Sequence, residues 1–274
     1  MRQLIDLSSA NGLDHDLYAA SAAGVSGAIL RTGEGLQGRD PSYGALVAKV
    51  EQQGWRHASY HLMAPSSGDP AGQAKAMYDL AGKPSPVGGP PPFIDVERNT
   101  PLTNAEAQSW ARFLVNMCSA ADDLFQRQVG WYTYSGFLAS LRPWLPYSVL
   151  ARPRWLAKYP ALAATSPVAA SFRSAYLAAR TEAYKPTAGQ AERVAMVRAA
   201  SALVATKDNP TPTGTMPDCT MWQWGGDANG ATCPGVSTLC DRTLFAGDDA
   251  AWDAFCGVPT IGSAPAAVAG ETAG

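Results

Sequence analysis

Pro90-Pro91-Pro92-Phe93-Ile94-Asp95-Val96-Glu97 reads as a rigid approach followed by a short apolar β-run that carries two acids. Asp95 and Glu97 are two apart, so on a strand both side chains leave the same face, with Cα atoms roughly 6.5–7 Å apart. Carboxylates that close resist joint ionisation. One pKa rises, and that group can serve as a general acid near neutral pH. Cleavage of a glycosidic bond needs this division, with one proton donor and a partner that stays anionic. An arbitrary D-x-E more often ends a strand or binds a metal. The pair therefore needs support from the rest of the chain.

Two further acids stand at strand ends. Asp6 closes the apolar run Leu4–Leu7, and Asp241 falls at the end of a last short strand, in Leu239-Cys240-Asp241-Arg242. Aromatic residues recur in the same kind of place, as Tyr60-His61, Trp131-Tyr132-Thr133-Tyr134 and Trp222-Gln223-Trp224. Sugars stack their apolar faces on such rings and bond their hydroxyls to acids and amides, although core packing accounts for rings of this kind equally well. His57 and His61 would lie roughly 13 Å apart on a strand, too far to share an ion. With 3 histidines in the chain, a His-rich metal centre is not expected. Cys118 lies on the apolar stripe of a capped helix and reads as a packing residue, not a nucleophile. No G-x-S-x-G and no P-loop occur.

The elements that must hold these residues repeat one unit: a short apolar strand, a loop, then a helix with readable ends. Strands are expected at Leu4–Leu7, Val25–Arg31, Arg56–Leu62, Phe93–Val96 and Gln128–Tyr134. The helices between them carry start and stop signals: Asp14 and Gly24, Asp40-Pro41 and Gly54, Asp69-Pro70 and Gly82, and a capping box at Thr103-Asn104-Ala105-Glu106. Alternating β and α units imply a parallel sheet, and at 274 residues a single α/β barrel of the TIM type is the leading arrangement. The second half is less regular. Pro153–Tyr159 and Thr220–Trp224 read as strands, and residues 160–218 as a long Ala-rich insertion with one helix near Gln190–Ala205. The barrel is expected over residues 1–257. Residues 258–274 read as a flexible tail or linker.

Composition narrows the function further. Hydrophobic content of 46% and charged content of 16% suit a globular enzyme, and a net charge of −2 gives no field for a polyanion, so no nucleic-acid partner is expected. No apolar run is long enough to cross a membrane, and the first residues show no basic and apolar leader, so no signal peptide is expected. Cys219, Cys233, Cys240 and Cys256 crowd the last quarter without a zinc spacing; one or two disulfides among them is one reading and buried thiols the other.

Taken in order, the motifs resemble those of the glycoside hydrolase family 25 muramidases, which include many phage endolysins. The opening D-x-S-x-x-x-G is similar to Asp6-Leu7-Ser8-Ser9-Ala10-Asn11-Gly12. The second strand with its Gly-rich loop resembles Ile29-Leu30-Arg31-Thr32-Gly33-Glu34-Gly35, and the Y-H with a following Gln-Ala resembles Tyr60-His61 and Gln73-Ala74. The proline-led D-x-E resembles Pro92–Glu97, and the tyrosine-bearing fifth strand Gly130-Trp131-Tyr132-Thr133. W-x-A-x-Y is similar to Trp155-Leu156-Ala157-Lys158-Tyr159. The closing W-Q-[YW], P-G and Asp are similar to Trp222-Gln223-Trp224, Pro234-Gly235 and Asp241. The resemblance spans roughly residues 3–256. It departs from the family at 160–218, at the cysteine cluster and at Arg242-Thr243.

The resemblance implies a peptidoglycan muramidase that cleaves the β-1,4 bond between N-acetylmuramic acid and N-acetylglucosamine, without cofactor or metal. It implies Glu97 as general acid and later base, Asp95 as the group that stabilises the substrate's attacking 2-acetamido group, and Asp6 and Asp241 as holders of the sugar and tuners of Glu97. Arg31, Tyr60, Tyr132, Trp155, Lys158, Gln223 and Trp224 are implied to bind substrate. The expected protein is a monomer, a phage lysin that gathers in the host cytoplasm and reaches the wall through a separate pore, or one carried on the virion. A catalytically idle wall-binding or tail module on the same barrel is the alternative. A chitinase-like hydrolase would show a longer D-x-x-D-x-D-x-E run, which is absent.

Overall fold

A computed structural model describes residues 2–82, 88–158, 219–225, 233, 235–236 and 240–257. The strands are β1 (Gln3–Leu7), β2 (Val25–Glu34), β3 (Gly38–Arg39), β4 (Arg56–Leu62), β5 (Phe93–Asp95), β6 (Gly130–Tyr134), β7 (Arg154–Ala157), β8 (Met221–Gly225) and β9 (Asp241–Phe245). The helices are α1 (Leu17–Ala22), α2 (Tyr43–Gln52), α3 (Pro70–Ala81), α4 (Asn104–Phe125), α5 (Ser135–Leu141), α6 (Tyr147–Leu150) and α7 (Asp249–Phe255). The sheet runs β1-β9-β8-β7-β6-β5-β4-β2-β3, and β1 pairs again with β2. Eight strands thus close a barrel, and β3 folds back on β2 as a hairpin outside the ring. Among the described residues no helix is long and apolar enough to cross a membrane.

Neighbouring barrel strands run parallel except at β9, which is antiparallel to both β1 and β8. This corrects the placing of Asp241. It begins β9 and does not end it. Because β9 runs the other way, its first residue reaches the rim where the parallel strands finish.

Strand side chains alternate between the barrel interior and the helix layer. Leu4, Ile29, Ala58, Tyr60, Phe93, Tyr132, Trp155, Ala157, Met221 and Phe245 fill the interior, and Trp252 of α7 and Cys256 just after it join them. Outward residues pack under helices: Ile5, Leu7, Ala28 and Leu30 with α1 and α2, and Ile94, Val96 and Trp131 with α3, α4 and α5. Gly130 has no room for a side chain, since a Cβ there would sit 2.5 Å from the Phe93 ring.

Helix ends follow the expected chemistry with two displacements. The Asp69 carboxylate accepts from Gly72 N–H at 2.8 Å ahead of Pro70, and Thr103 with Glu106 forms the full capping box. α1 is capped by Asp16, whose carboxylate accepts from Ala19 N–H, in place of Asp14. α2 starts after Ser42, in place of Asp40. Asp40 instead accepts from Ser42 N–H at 2.9 Å and from Ser9 N–H at 2.8 Å, tying the start of α2 to the loop after β1. The helix expected near Gln190–Ala205, the 160–218 insertion and the 258–274 tail lie outside the described residues. The structure bridges none of Cys118, Cys219, Cys233, Cys240 and Cys256, against the reading of one or two disulfides. Cys233 and Cys240 are nevertheless hydrogen-bonded to each other.

Candidate active site

β5 ends at Asp95, which is 5% exposed. Glu97 lies two residues further on, past the strand, and is exposed. The two acids therefore differ in surroundings. Asp95 is buried on the inner face of the barrel, and its Oδ1 has no hydrogen-bond partner among the described residues. Asp6 on β1 stands directly across from Asp241 on β9, as partners in the ladder. Burial first, then the negative charges of Glu97, Asp6 and Asp241, hold the Asp95 carboxyl well above the ordinary aspartate value of 3.8, and Arg31 opposes them. The Asp95 carboxyl is thus raised by burial first and by the acidic ring second. A buried charge with like charges around it is costly, so the surroundings favour the protonated form.

Tyr60 and Arg31 complete this cluster. They are ladder partners on β4 and β2. Burial and the nearby Asp6, Asp95 and Asp241 push the Tyr60 hydroxyl well above its ordinary value, so it stays neutral. Burial alone would lower the Arg31 pKa, but Tyr60, Asp95, Glu34 and Asp40 outweigh it and raise the net value. Arg31 also pairs with Glu34 at 3.3 Å. Arg31 therefore faces a group of acids at this end of the barrel.

Below them is an aromatic floor. Trp155 is 1% exposed, and the rings of Tyr132, Phe93 and Tyr60 lie 4.4, 5.8 and 5.9 Å from it. Its Nε1–H donates to Thr243 Oγ1 at 3.1 Å. Trp155 was expected to touch substrate. The structure seals it beneath Tyr60 and Tyr132, where it supports them and meets no solvent. Gln223 lies on the inner face of β8, one residue from the outward Trp222 and Trp224. Trp224 is likewise parted from the cluster, since it packs outside the barrel with Trp222 and Leu244, under the Arg242 guanidinium at 5.4 Å. Lys158 follows β7 and is exposed. Its main chain is held by a bond from its N–H to Gln223 O and by one from Trp222 Nε1–H to its own carbonyl.

Loops around the rim are fixed by buried polar side chains. His61 is fully buried between Thr32 Oγ1, 2.9 Å from Nδ1, and Gly35 O, 2.8 Å from Nε2. Burial lowers its pKa. The imidazole pins the β2–β3 hairpin that carries Glu34. Gln73 accepts from Ala64 N–H and donates to Ala64 O and Gly68 O, which fixes the loop between β4 and α3. Sequence reasoning counted Tyr134 among the recurring aromatics but not among the catalytic or substrate-binding residues. Its hydroxyl donates to Arg98 O at 2.8 Å, beside Glu97. The signal available was its place as the last inward position of β6.

This arrangement places a buried acid and an exposed acid two residues apart above a cluster of aromatic rings. Known structures share the fold. The fold is similar to a bacterial lysozyme from Streptomyces coelicolor, at 18% identity and a TM-score of 0.66, covering 94% of this chain and 98% of that one. It is similar to a family GH25 lysozyme from Aspergillus fumigatus, at 15% identity and TM-score 0.64, covering 93% and 98%. The CTP1L endolysin is also similar, at 15% identity and TM-score 0.58, covering 94% of this chain and 70% of that one. No curated protein sequence matches the chain. The family model of the glycosyl hydrolases family 25 matches residues 5–176, more than half of the chain. Barrel, acidic rim and sequence match agree, and the chain belongs to the glycosyl hydrolases of family 25.

Proposed function

We propose that the protein is a peptidoglycan muramidase that cuts the bond between N-acetylmuramic acid and N-acetylglucosamine with retention. The observation that carries this reading is the unequal pair: Asp95 buried with a strongly raised pKa, and Glu97 exposed two residues away. On this reading the pair holds one proton, which burial and like charges favour on Asp95. When a sugar fills the groove, the proton is needed on Glu97, which gives it to the glycosidic oxygen as the bond to the anomeric carbon breaks. The oxygen of the substrate's own 2-acetamido group attacks that carbon, and positive charge develops on the acetamido nitrogen. Asp95, now anionic, faces that charge. Water then opens the ring so formed and loses a proton to Glu97. This is the substrate-assisted route among retaining glycosidases. Asp6, Asp241, Arg31, Tyr60, Tyr132 and Gln223 line the groove and bind hydroxyl and amide groups of the sugar. Lys158 stands at its edge.

The biological setting we favour is a phage lysin, acting on the wall of the host from within or from the virion. Similarity to the CTP1L endolysin is what favours it.

Glu97→Gln tests the chemistry. The amide is nearly isosteric but cannot give a proton to the leaving oxygen, and general acid catalysis is worth about 10²–10⁴-fold. Turnover of purified peptidoglycan should fall by that factor while the melting curve stays the same. Retention of more than about a tenth of wild-type activity would remove Glu97 from the role. A wild-type protein that binds peptidoglycan of several chemotypes but cleaves none would favour an idle wall-binding module.

A further inference from the structure

Glu97 lies beyond the end of its strand, in a segment that the sheet no longer holds. The β5–β6 ladder stops at the pair Asp95–Tyr132. Yet a general acid must be held within a fraction of an ångström of its working position. Three consecutive residues of β6 carry the restraint past the strand end. Val96 N–H donates to Tyr132 O at 2.9 Å, the one backbone bond of the three. The Thr133 hydroxyl donates to Val96 O at 2.7 Å, and the Tyr134 hydroxyl donates to Arg98 O at 2.8 Å. The carbonyls on either side of Glu97 are thus each gripped by a side-chain hydroxyl. Thr133 and Tyr134 point to opposite faces of β6. The peptide that bears Glu97 is therefore held from both sides.

A second anchor works from α4. The Arg98 guanidinium donates to Glu106 Oε1 at 2.8 Å and to the Thr100 hydroxyl. Glu106 also closes the capping box of α4, where it accepts from Thr103 N–H at 2.8 Å. Arg98 is therefore fixed at its carbonyl by the barrel and at its side chain by the helix start, and Glu97 precedes it directly. The Tyr134 ring is steadied by Phe137, with ring centres 5.6 Å apart.

We infer that Tyr134 is a positioning residue for Glu97, acting through the Arg98 carbonyl. The inference rests on Glu97 being the general acid. A half-exposed phenol could bond to water at no cost in order; here it is spent on a backbone carbonyl next to the reacting carboxyl. Its single proton is committed to Arg98 O, so it offers only lone pairs to other groups nearby. Burial and then the negative charge of Glu97 raise the Tyr134 pKa, which places the two within electrostatic reach.

Tyr134→Phe removes the hydroxyl and keeps the ring. Steady-state kinetics on solubilised peptidoglycan fragments should show kcat reduced by about 10–100-fold, since a misplacement near 1 Å costs that much, with KM within about twofold. The melting temperature should move by less than about 3 °C. The same change made in a Glu97→Gln background should lower the residual rate by no more than about twofold, because a residue acting through Glu97 has nothing left to position. A Tyr134→Phe enzyme with kcat within about twofold of wild type would overturn the inference. So would a loss that multiplies fully in the Glu97→Gln background, or one explained by a lower folded fraction. A silent Tyr134→Phe beside an inactive Glu97→Gln removes this inference alone, whereas an active Glu97→Gln removes the assignment of the general acid itself.

Discussion

Asp95→Asn should make the protein more stable while it loses activity. Asp95 is 5% exposed, its Oδ1 lacks a partner among the described residues, and Glu97, Asp6 and Asp241 all disfavour its charge. An acid whose pKa is higher in the folded state than in the unfolded chain binds its proton more tightly when folded. Its contribution to stability is full below the unfolded value, near 3.8, and is lost as pH rises from there through the raised folded value. Asparagine has the shape of the protonated form and never ionises. The stability gap between Asn and wild type should therefore be small near pH 4 and widen upward, by at most about 1.4 kcal/mol per pH unit. Attraction from Arg31 trims the total, and replacing a strained functional group of this kind typically gains about 1–2 kcal/mol. For a chain of this size that corresponds to a melting temperature about 2–8 °C higher at neutral pH. Differential scanning calorimetry of both proteins in matched buffers from about pH 4.5 to pH 8 reads it. A lower melting temperature for Asp95→Asn at pH 8, or a gap that narrows as pH rises, would show that Arg31 stabilises the charged form and that the account of the raised pKa is wrong.

Trp155→Phe should lower the melting temperature by about 3–8 °C, because it forfeits ring contacts and leaves the buried Thr243 hydroxyl without its indole donor, together about 1–3 kcal/mol. KM should stay within about twofold if Trp155 is a floor; an unchanged melting curve with a tenfold higher KM would make it a sugar platform after all. Cys118 is fully buried, and desolvation pushes its thiol up to about 12. Its alkylation by iodoacetamide at pH 8 should be slower than in guanidinium by at least about 10³-fold, the factor set by the thiolate fraction. Fast modification of the native protein would contradict that burial.

Much of this was legible because the signals were local. Thr103 and Glu106 announce the start of α4 by type and spacing alone, and the Asp69-Pro70 start of α3 does the same. The D-x-E on a proline-led strand, with acids in Asp6 and Asp241, was enough to mark the rim. What escaped depends on partners distant in sequence. An alternating apolar pattern has no direction, so nothing in residues 241–245 reveals that β9 runs antiparallel and brings Asp241 to the rim by its start. Barrel strands are buried on both faces, so Trp224 and Gln223 gave no sign of which faced the barrel interior. Trp155 looked like a sugar platform because depth along a strand is set by register, which the sequence does not print. Two aspartates bracket His15, and Asp16 caps α1 where the bridge between His15 and Val236 fixes the chain. The short hairpin strand β3 carries no apolar alternation and left no mark.

The most direct test of the central claim is the identity of the new sugar end. Purified peptidoglycan is digested, the products are reduced with borohydride, and the reduced residues are identified by mass spectrometry. A muramidase leaves reduced muramic acid, and that is the expected result. Reduced glucosamine would mean that the other glycosidic bond is cut, and free stem peptides on intact glycan would contradict the assignment to glycoside hydrolysis altogether.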